Sequence, residues 1–237
     1  MGSKPFQFKY FSVTQEHCTH KVGTDGVLLG AWVNITGREN CILDIGTGSG
    51  LIALMLAQRT NGKTQIDAVD IDAGNVRHAA ENIRQSPWPE KIRVHHTPIQ
   101  NFFPARKYDL IISNPPYFER SLLPPDEKRT LARHTGTLPF EELLSNTIRL
   151  LSDKGRFAVI LPAAGALKFT ALARTEQLQV LRRTSFRSKP HKPWERLLIE
   201  FSRTVTSAEE SGLTLYDENN EWSTDYSTLT REFYLKI

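Results

Sequence analysis

The chain has 237 residues and a mass of 26.9 kDa, which suits one large α/β domain. Hydrophobic residues make up 39% of it and charged residues 24%, a composition that excludes collagen-like and disordered chains. The formal net charge of +4 is a weak bias toward anionic partners. We expect a single domain over residues 1–237, divided into an N-terminal segment of residues 1–40, a core of residues 41–203 and a C-terminal extension of residues 204–237.

Features of membrane and secreted proteins are missing from the sequence. No uninterrupted apolar stretch approaches the ~18 to 20 residues that span a bilayer, and no apolar signal region follows the N-terminus. Its two cysteines, Cys18 and Cys41, are too few for a disulfide framework and lack the spacing of a zinc site. We therefore expect a cytoplasmic protein that binds neither a membrane nor a metal. We also expect a monomer.

Strand and helix patterns alternate along the chain. In chain order they predict a strand at 41–45, a helix at 51–58, a strand at 65–69, a helix capped by Asp72 that runs to about residue 85, strands at 92–96 and 108–113, a helix at 139–151, a strand at 156–161 and a helix at about 164–174. Alternation of this kind, with near-continuous apolar strands, predicts a parallel sheet covered by helices on both faces. The predicted fold class is α/β.

A different pattern follows. Two β-like runs at 179–186 and 196–201 are joined by a short basic loop without room for a crossover helix, so they should pair antiparallel. Residues 225–234 fit either a helix or a strand.

Charge is distributed unevenly in this last third of the chain. Residues 182–196 contain six basic side chains and one acidic side chain, whereas 207–225 contain six acidic side chains and no basic one. The asymmetry predicts a local basic face. A solvated charged surface without a partner explains the charges equally well.

A glycine-rich turn lies between the first predicted strand and the first helix. Asp44-Ile45-Gly46-Thr47-Gly48-Ser49-Gly50 has glycine at alternate positions, which lets the backbone turn tightly and approach a ligand at the carboxyl end of the sheet. The spacing differs from the dinucleotide fingerprint G-x-G-x-x-G. Asp44 would repel a pyrophosphate but can face a cation such as the amino group of S-adenosylmethionine. The alternative is a tight connection without a ligand.

Asp70 ends the second predicted strand. A carboxylate at this position can accept hydrogen bonds from both hydroxyls of a ribose. It can instead be a turn residue that precedes the helix cap Asp72.

The segment Asn114-Pro115-Pro116-Tyr117 directly follows the fourth predicted strand. Successive prolines remove two backbone donors and fix the direction of the chain. The amide oxygen of Asn114 and a proline carbonyl can accept hydrogen bonds from a planar amino group, and the Tyr117 ring offers a stacking surface. The alternative is a strand-terminating turn with Tyr117 packed on the core.

These three segments, in this order, resemble the class I S-adenosylmethionine-dependent methyltransferases that modify amino nitrogens, the N6-adenine type in particular. The stretches 21–32 and 82–89 are similar to the bacterial family that methylates N6 of adenosine 37 in the anticodon loop of valine tRNA 1. The resemblance implies a Rossmann-like, mostly parallel sheet of seven strands with an antiparallel last strand. It also implies S-adenosyl-L-methionine as cofactor, S-adenosyl-L-homocysteine as product and tRNA as partner.

Site residues follow from the motifs and the resemblance together. Residues 1–40 should cap the cofactor, and 41–203 should form the catalytic core. The predicted catalytic residues are Asn114, Pro115, Pro116 and Tyr117. The predicted cofactor-binding residues are Lys21, Gly23, Thr24, Asp25, Asp44, Gly46, Gly48, Gly50, Asp70, Ile71 and Asn114.

The sequence departs from the family pattern at one position. Such enzymes commonly place an acidic residue just after the third strand to accept the adenine amino group of the cofactor, yet Pro98 stands there. Gln100 or a backbone carbonyl remains as the candidate acceptor.

RNA contact is expected at the loop 187–194, which combines cations with Trp194. An adenine in folded RNA must leave its stack before it reaches such a pocket. The predicted RNA-binding residues are Arg133, Arg183, Arg187, Lys189 and Lys192. Lys128, Arg129 and His134 lie near Arg133 in a segment that can form a second contact or a lid.

Four other functions stay open at the level of sequence. The Asn-Pro-Pro-Tyr pocket also suits the planar amide of a protein glutamine, and a guanine N2 methyltransferase of ribosomal RNA shares the motifs. A noncatalytic RNA-binding module with this fold is a third interpretation. An NAD-dependent oxidoreductase is the fourth, disfavoured by the glycine spacing.

Overall fold

The computed structural model describes residues 4–14, 22–116, 138–204 and 207–235. Its strands, in chain order, are β1 (Phe6–Gln7), β2 (Ser12–Val13), β3 (Cys41–Ile45), β4 (Gln65–Asp70), β5 (Ile92–His96), β6 (Tyr108–Ser113), β7 (Leu151–Pro162), β8 (Gln179–Arg187), β9 (Arg196–Ser202) and β10 (Glu209–Thr214). Its helices are α1 (Thr24–Trp32), α2 (Leu51–Arg59), α3 (Ala73–Arg84), α4 (Phe140–Leu150), α5 (Ala163–Thr175) and α6 (Thr224–Thr230), with a 3-10 turn at Ile99–Asn101.

Eight strands form the main sheet, in the order β10-β8-β9-β7-β6-β3-β4-β5. The neighbours from β7 to β5 are parallel, and β9 runs antiparallel to both β7 and β8. This arrangement confirms the predicted α/β class and the antiparallel hairpin. The predicted count of seven strands is wrong by one, because β10 adds to the edge in parallel with β8. Strands β1 and β2 form a separate two-stranded sheet.

The predicted elements of the core are confirmed where an apolar pattern marks them. Strands β3, β5 and β6 have the predicted bounds, and the side chain of Asp72 caps α3 by accepting a 2.8 Å hydrogen bond from the Asn75 amide. Residues 225–234, undecided from the sequence, contain most of helix α6.

Sequence patterns missed two portions of the sheet. Strand β10 was not predicted because its first four residues are polar or glycine and lie exposed on an edge, so no alternation marks it. Strand β7 starts at Leu151, five residues before the predicted start at Arg156. The extra residues were missed because most of those between Leu151 and Arg156 are polar and partly exposed.

Alternating side chains of the central strands divide the core into two layers. Ile42 packs on one face with α1 and α2, whereas its neighbour Leu43 packs on the other with α4 and α5. Both side chains are fully buried. Among the described residues, no helix is both long and apolar enough to cross a membrane.

A buried charge cluster ties the antiparallel hairpin to the rest of the molecule. Glu200 on β9 is 1% exposed and accepts hydrogen bonds from Arg156 and Arg182, the latter at 3.0 Å. Arg156 also pairs with Glu39, at 2.5 Å. Arg182 stacks 3.8 Å from the ring of Trp32 and donates to the Trp32 carbonyl, which anchors the end of α1. Each buried charge in this cluster has an opposite partner.

We expect Glu200→Ala to lower the free energy of unfolding by about 3–5 kcal/mol, because it leaves two partly buried arginines without their shared carboxylate. Urea denaturation measures the change. Glu209→Ala, at an exposed position of the edge strand, is the matched control and should shift stability by no more than about 0.5 kcal/mol. Equal effects of the two substitutions would contradict the structural role of the cluster.

Candidate functional site

Strand register brings the three predicted segments together. Ile45 on β3 pairs with Val69 on β4 and with Ser113 on β6. Gly46 and Asn114 are the first residues beyond their strands and Asp70 is the last residue of β4, so all three lie at the same edge of the sheet. Neighbouring strands lie about 4.8 Å apart, so Asp70 and Asn114 flank the start of the glycine turn from its two sides.

Positive φ angles explain the glycines of the turn. The φ values of Gly46, Gly48 and Gly50 are 73°, 57° and 82°, in the region that favours glycine. A Cβ atom on Gly46 or Gly48 would meet nothing within 4 Å, whereas one on Gly50 would lie 3.3 Å from the Cβ of Ala79. The first two glycines thus border open space, and the third allows α3 to pack closely.

Asp70 organises the turn through its carboxylate. Its Oδ2 accepts a 2.8 Å hydrogen bond from the amide of Gly48, and its Oδ1 accepts a 2.9 Å bond from the amide of Asp72. The side-chain amide of Asn75 also donates to both oxygens, at the longer distance of 3.4 Å. The side chain of Asp70 is nearly buried, at 6% exposed. Beside it, Ile71 is 51% exposed and presents an apolar surface at this edge.

Asp44 is a fully buried carboxylate under the turn. Its Oδ2 accepts a 2.7 Å hydrogen bond from the hydroxyl of Thr47. Among the described residues, no group hydrogen-bonds its Oδ1. Burial raises the pKa of Asp44 to about 7, the hydroxyl of Thr47 opposes this shift, and the nearby charge of Asp70 adds to it. A cationic group at Oδ1 would satisfy this acceptor and favour the ionised form.

Asn114 lies half-buried at the end of β6, followed by a buried Pro115 and an exposed Pro116. The side-chain nitrogen of Asn114 would lie 4.0 Å from a Cβ built on Gly26, so the first turn of α1 lies next to this asparagine. Tyr117 falls outside the described residues, and its stacking role stays a prediction.

The start of α1 holds three of the predicted cofactor contacts. Gly23 is the N-cap residue, and Thr24 is exposed beside it. Asp25 is engaged from within the protein, because Arg196 Nε donates a 2.9 Å hydrogen bond to its Oδ2. Sequence reasoning counted Arg196 only as one charge of the basic run and missed this partner. Lys21 lies outside the described residues.

At the departure from the family pattern, Pro98 begins the 3-10 turn and its carbonyl accepts a 2.9 Å hydrogen bond from the amide of Asn101. The side-chain amide of Gln100 donates to Glu142 on α4. This bond directs the Gln100 nitrogen toward α4 and fixes the orientation of its oxygen.

The loop between β8 and β9 lies at the same edge of the sheet as Asn114, because antiparallel β9 begins opposite Pro162 at the end of β7. Arg187 stacks 4.6 Å from the ring of Trp194 and donates a 3.1 Å hydrogen bond to the hydroxyl of Thr214. Trp194 is 43% exposed.

Besides Arg187, the C-terminal extension contacts two more of the predicted RNA-binding cations. Arg183 pairs with Glu210 at 2.6 Å, and Lys189 donates a 2.6 Å hydrogen bond to the side chain of Asn220. Lys192 pairs within the loop with Glu195, at 3.4 Å. These contacts are exposed enough for RNA phosphates to compete for the cations. The fifth predicted residue, Arg133, lies outside the described residues, as do Lys128, Arg129 and His134.

No three or more His, Cys, Asp or Glu side chains converge as a metal site in the portion of the chain that the structure describes.

The fold and the site together are those of a Rossmann-like methyltransferase. Residues 23–163 match the methyltransferase small domain family, and the chain belongs to this family.

Full-length relatives carry a more specific name. The chain is 46% identical to the tRNA1(Val) (adenine(37)-N6)-methyltransferase of Parabacteroides distasonis, and the match covers 100% of both chains. It is 43% identical to the protein of the same name from Trichodesmium erythraeum, again over 100% of both chains.

Solved structures agree on the fold. A predicted O-methyltransferase from Agrobacterium tumefaciens matches with a TM-score of 0.69 at 16% identity, over 88% of this chain and 96% of that one. The ribosomal protein L11 methylase of Lactobacillus delbrueckii matches with a TM-score of 0.55 at 17% identity, over 76% of this chain and 77% of that one.

We expect Asp44→Asn to stabilise the protein in a pH-dependent way. The carboxyl titrates near its ordinary value of 3.8 in the unfolded chain, but its pKa is about 7 in the folded protein. The folded state therefore holds a proton that the unfolded state releases, and wild-type stability falls as the pH rises from about 4 to about 7. Asparagine does not ionise, so Asp44→Asn should not lose stability over this pH range.

The measurement is the melting temperature in buffer without added ligand, at about pH 4.5 and about pH 8. The advantage of Asp44→Asn over the wild type should be larger at the higher pH. Asp153→Asn, at an exposed position of β7, should give no such difference. An advantage that is the same at both pH values would refute the unfavourable burial of the Asp44 charge.

Proposed function

We propose that the protein transfers a methyl group from S-adenosyl-L-methionine to the exocyclic N6 of an adenosine in tRNA, namely adenosine 37 in the anticodon loop of valine tRNA 1. The observation that carries the proposal is the register that places Asn114 beside the glycine turn and Asp70. The name shared by the full-length relatives supports the substrate. We propose a cytoplasmic location, which a tRNA substrate supports.

The residues around the turn fit the cofactor. The unpartnered Oδ1 of Asp44 suits the amino group of the methionine moiety, and Asp70 suits the ribose hydroxyls. The exposed side chain of Ile71 suits a face of the adenine ring. Gly46 and Gly48 leave room for close approach. In this proposal residues 1–40 cap the cofactor, 41–203 are the catalytic core and 204–237 extend it.

Asn114 and Pro115 act on the target base. The exocyclic nitrogen of adenine has its lone pair delocalised into the ring, so acceptors at the Asn114 oxygen and the Pro115 carbonyl favour the pyramidal geometry that attack on the methyl group requires. S-adenosyl-L-methionine would supply the activated methyl group when bound, and loss of that methyl group would leave S-adenosyl-L-homocysteine. No strong base is needed, because the extra proton leaves after transfer. Orientation of the two reactants contributes about 7–11 kcal/mol in good cases.

RNA binds across the rim formed by the loop 187–195. The loop places Lys189, Lys192 and the stacked Arg187–Trp194 pair at the edge that also carries Asn114. Cations there can hold anticodon-loop phosphates while the target adenine is unstacked into the pocket, at a cost of a few kcal/mol. The contacts of the C-terminal extension to Arg183, Arg187 and Lys189 hold this surface in place.

Incubation with labelled S-adenosyl-L-methionine and unmodified tRNA, followed by nucleoside analysis, tests the function. We expect N6-methyladenosine with the wild type and at least about 100-fold slower transfer with Asn114→Ala, because the acceptor for the amino group is removed. Cofactor binding, measured by calorimetry, should stay within several-fold. Asn219→Ala, at an exposed site, is the control. Transfer at the normal rate by Asn114→Ala would refute the role of Asn114, and methylated glutamine or guanine would refute the substrate.

Reversing charge in the loop should weaken tRNA binding. The double variant Lys189→Glu and Lys192→Glu releases fewer counterions on binding, so the plot of log affinity against log salt should become shallower as well. Fluorescence anisotropy over a series of salt concentrations measures both effects. Lys63→Glu makes a matched control, since Lys63 is exposed next to the amino end of β4, at the opposite edge of the sheet. Unchanged affinity and slope would exclude the loop from the interface.

A further inference from the structure

Among the described residues, the first turn of α1 has few hydrogen bonds of its own. Gly23 at the N-cap position provides no side-chain hydrogen bond, and the bond from the Val27 amide to the Gly23 carbonyl is long, at 3.3 Å. Asp25 lies in this turn, where the helix dipole favours a negative charge, and its carboxylate pairs with Arg196. The ion pair links the first turn to strand β9.

The same turn covers Asn114. A Cβ atom on Gly26 would lie 3.1 Å from Leu51 Cδ2 and 4.0 Å from the side-chain nitrogen of Asn114. The residue next to Asp25 therefore lies beside the side chain that is proposed to hold the target amino group, with room for about one further carbon atom between them. A shift of this turn by about one ångström changes the space available to Asn114.

Arg196 stands where the basic loop ends. It is the first residue of β9 and pairs in the sheet with Phe186 on β8 and Pro162 on β7. The preceding amide, of Glu195, donates a 2.8 Å hydrogen bond to the Phe186 carbonyl. The guanidinium also donates to the Glu195 carbonyl, at 3.0 Å. The backbone of Arg196 is thus fixed by its two neighbouring strands directly after the loop.

The far end of α1 is anchored to the same hairpin. Trp32 Nε1 donates a 2.8 Å hydrogen bond to Thr184, and Arg182 donates a 2.9 Å bond to the Trp32 carbonyl. The Trp32 contacts are buried, whereas the side chains of Arg196 and Asp25 are 31% and 22% exposed, so the ion pair is the more exposed of the two connections.

We propose that Arg196 is a positioning residue: through Asp25 it sets the first turn of α1 and so holds Asn114 in the orientation that methyl transfer requires. The inference rests on the proposed function and extends it to a residue that touches neither cofactor nor base. The ion pair is partly exposed and contributes little to global stability, so its loss is expected to affect the rate and leave the fold intact.

Steady-state kinetics with unmodified tRNA separate an effect on the rate of methyl transfer from an effect on binding. Arg196→Ala should lower kcat by about tenfold to 100-fold, as expected for a small misplacement of a reacting group, while the KM for tRNA and the calorimetric Kd for S-adenosyl-L-methionine stay within about twofold. Asp25→Asn should lower kcat to the same extent. Arg196→Lys keeps the charge and should recover most of kcat. The double variant should be no slower than Arg196→Ala, because both substitutions break the same contact.

Arg203→Ala is the control on the same hairpin. Arg203 is exposed just beyond the other end of β9, where it donates to the Ile148 carbonyl, and its loss should leave all three parameters unchanged. An unchanged kcat in Arg196→Ala, or a loss confined to the KM for tRNA or to cofactor affinity, would overturn the inference while wild-type turnover upholds the proposed function. Failure of the wild type to form N6-methyladenosine would reject the proposed function and this inference with it.

Discussion

Everything at the candidate site depends on the pairing of Ile45 with both Val69 and Ser113. Parallel strands in this register end together, so three loops that are far apart in the chain begin at one edge of the sheet. A slip of one residue would turn the side chains of the strand to the opposite face, which the two packed core layers forbid. The hydrophobic core thus determines where Asp70 and Asn114 lie.

The glycine turn has an internal and an external function. Internally, the carboxylate of Asp70 binds the Gly48 amide and Gly50 lets α3 pack against the start of α2. Externally, Asp44 remains buried with an oxygen that no described residue satisfies, at a cost in stability when it is ionised. An unfavourable buried charge next to open space is typical of a binding site that a ligand completes.

Charge in the last third of the chain is arranged in pairs as well as in patches. The acidic stretch supplies β10, which places Glu210 beside Arg183 on the neighbouring strand, and Asn220 from the same extension binds Lys189. The C-terminal extension therefore holds basic side chains of residues 182–196 in position. Deeper in the hairpin, Glu200 is surrounded by arginines, and through Trp32 this cluster reaches α1. The surface proposed to contact RNA and the turn of α1 next to Asn114 therefore belong to one connected structure.

The sequence by itself determined the α/β class, most core elements and the three motifs of the site. Apolar runs ended by glycine or proline mark β3 and β6 because local chemistry fixes where a buried strand stops, and Asp72 marks the start of α3 because a cap acts within three residues. The full-length relatives share one name, and that name agrees with the family that those motifs resemble.

Only the tertiary structure decided the partners that lie far apart in the chain. The edge strand β10 has no apolar alternation of its own and forms because β8 offers a free edge. The contact between Asp25 and Arg196 spans 171 positions, and no local pattern distinguishes that arginine from its basic neighbours. Spacing along the chain carries information on turns, caps and strand ends, whereas an ion pair between distant residues exists only after the sheet has aligned them.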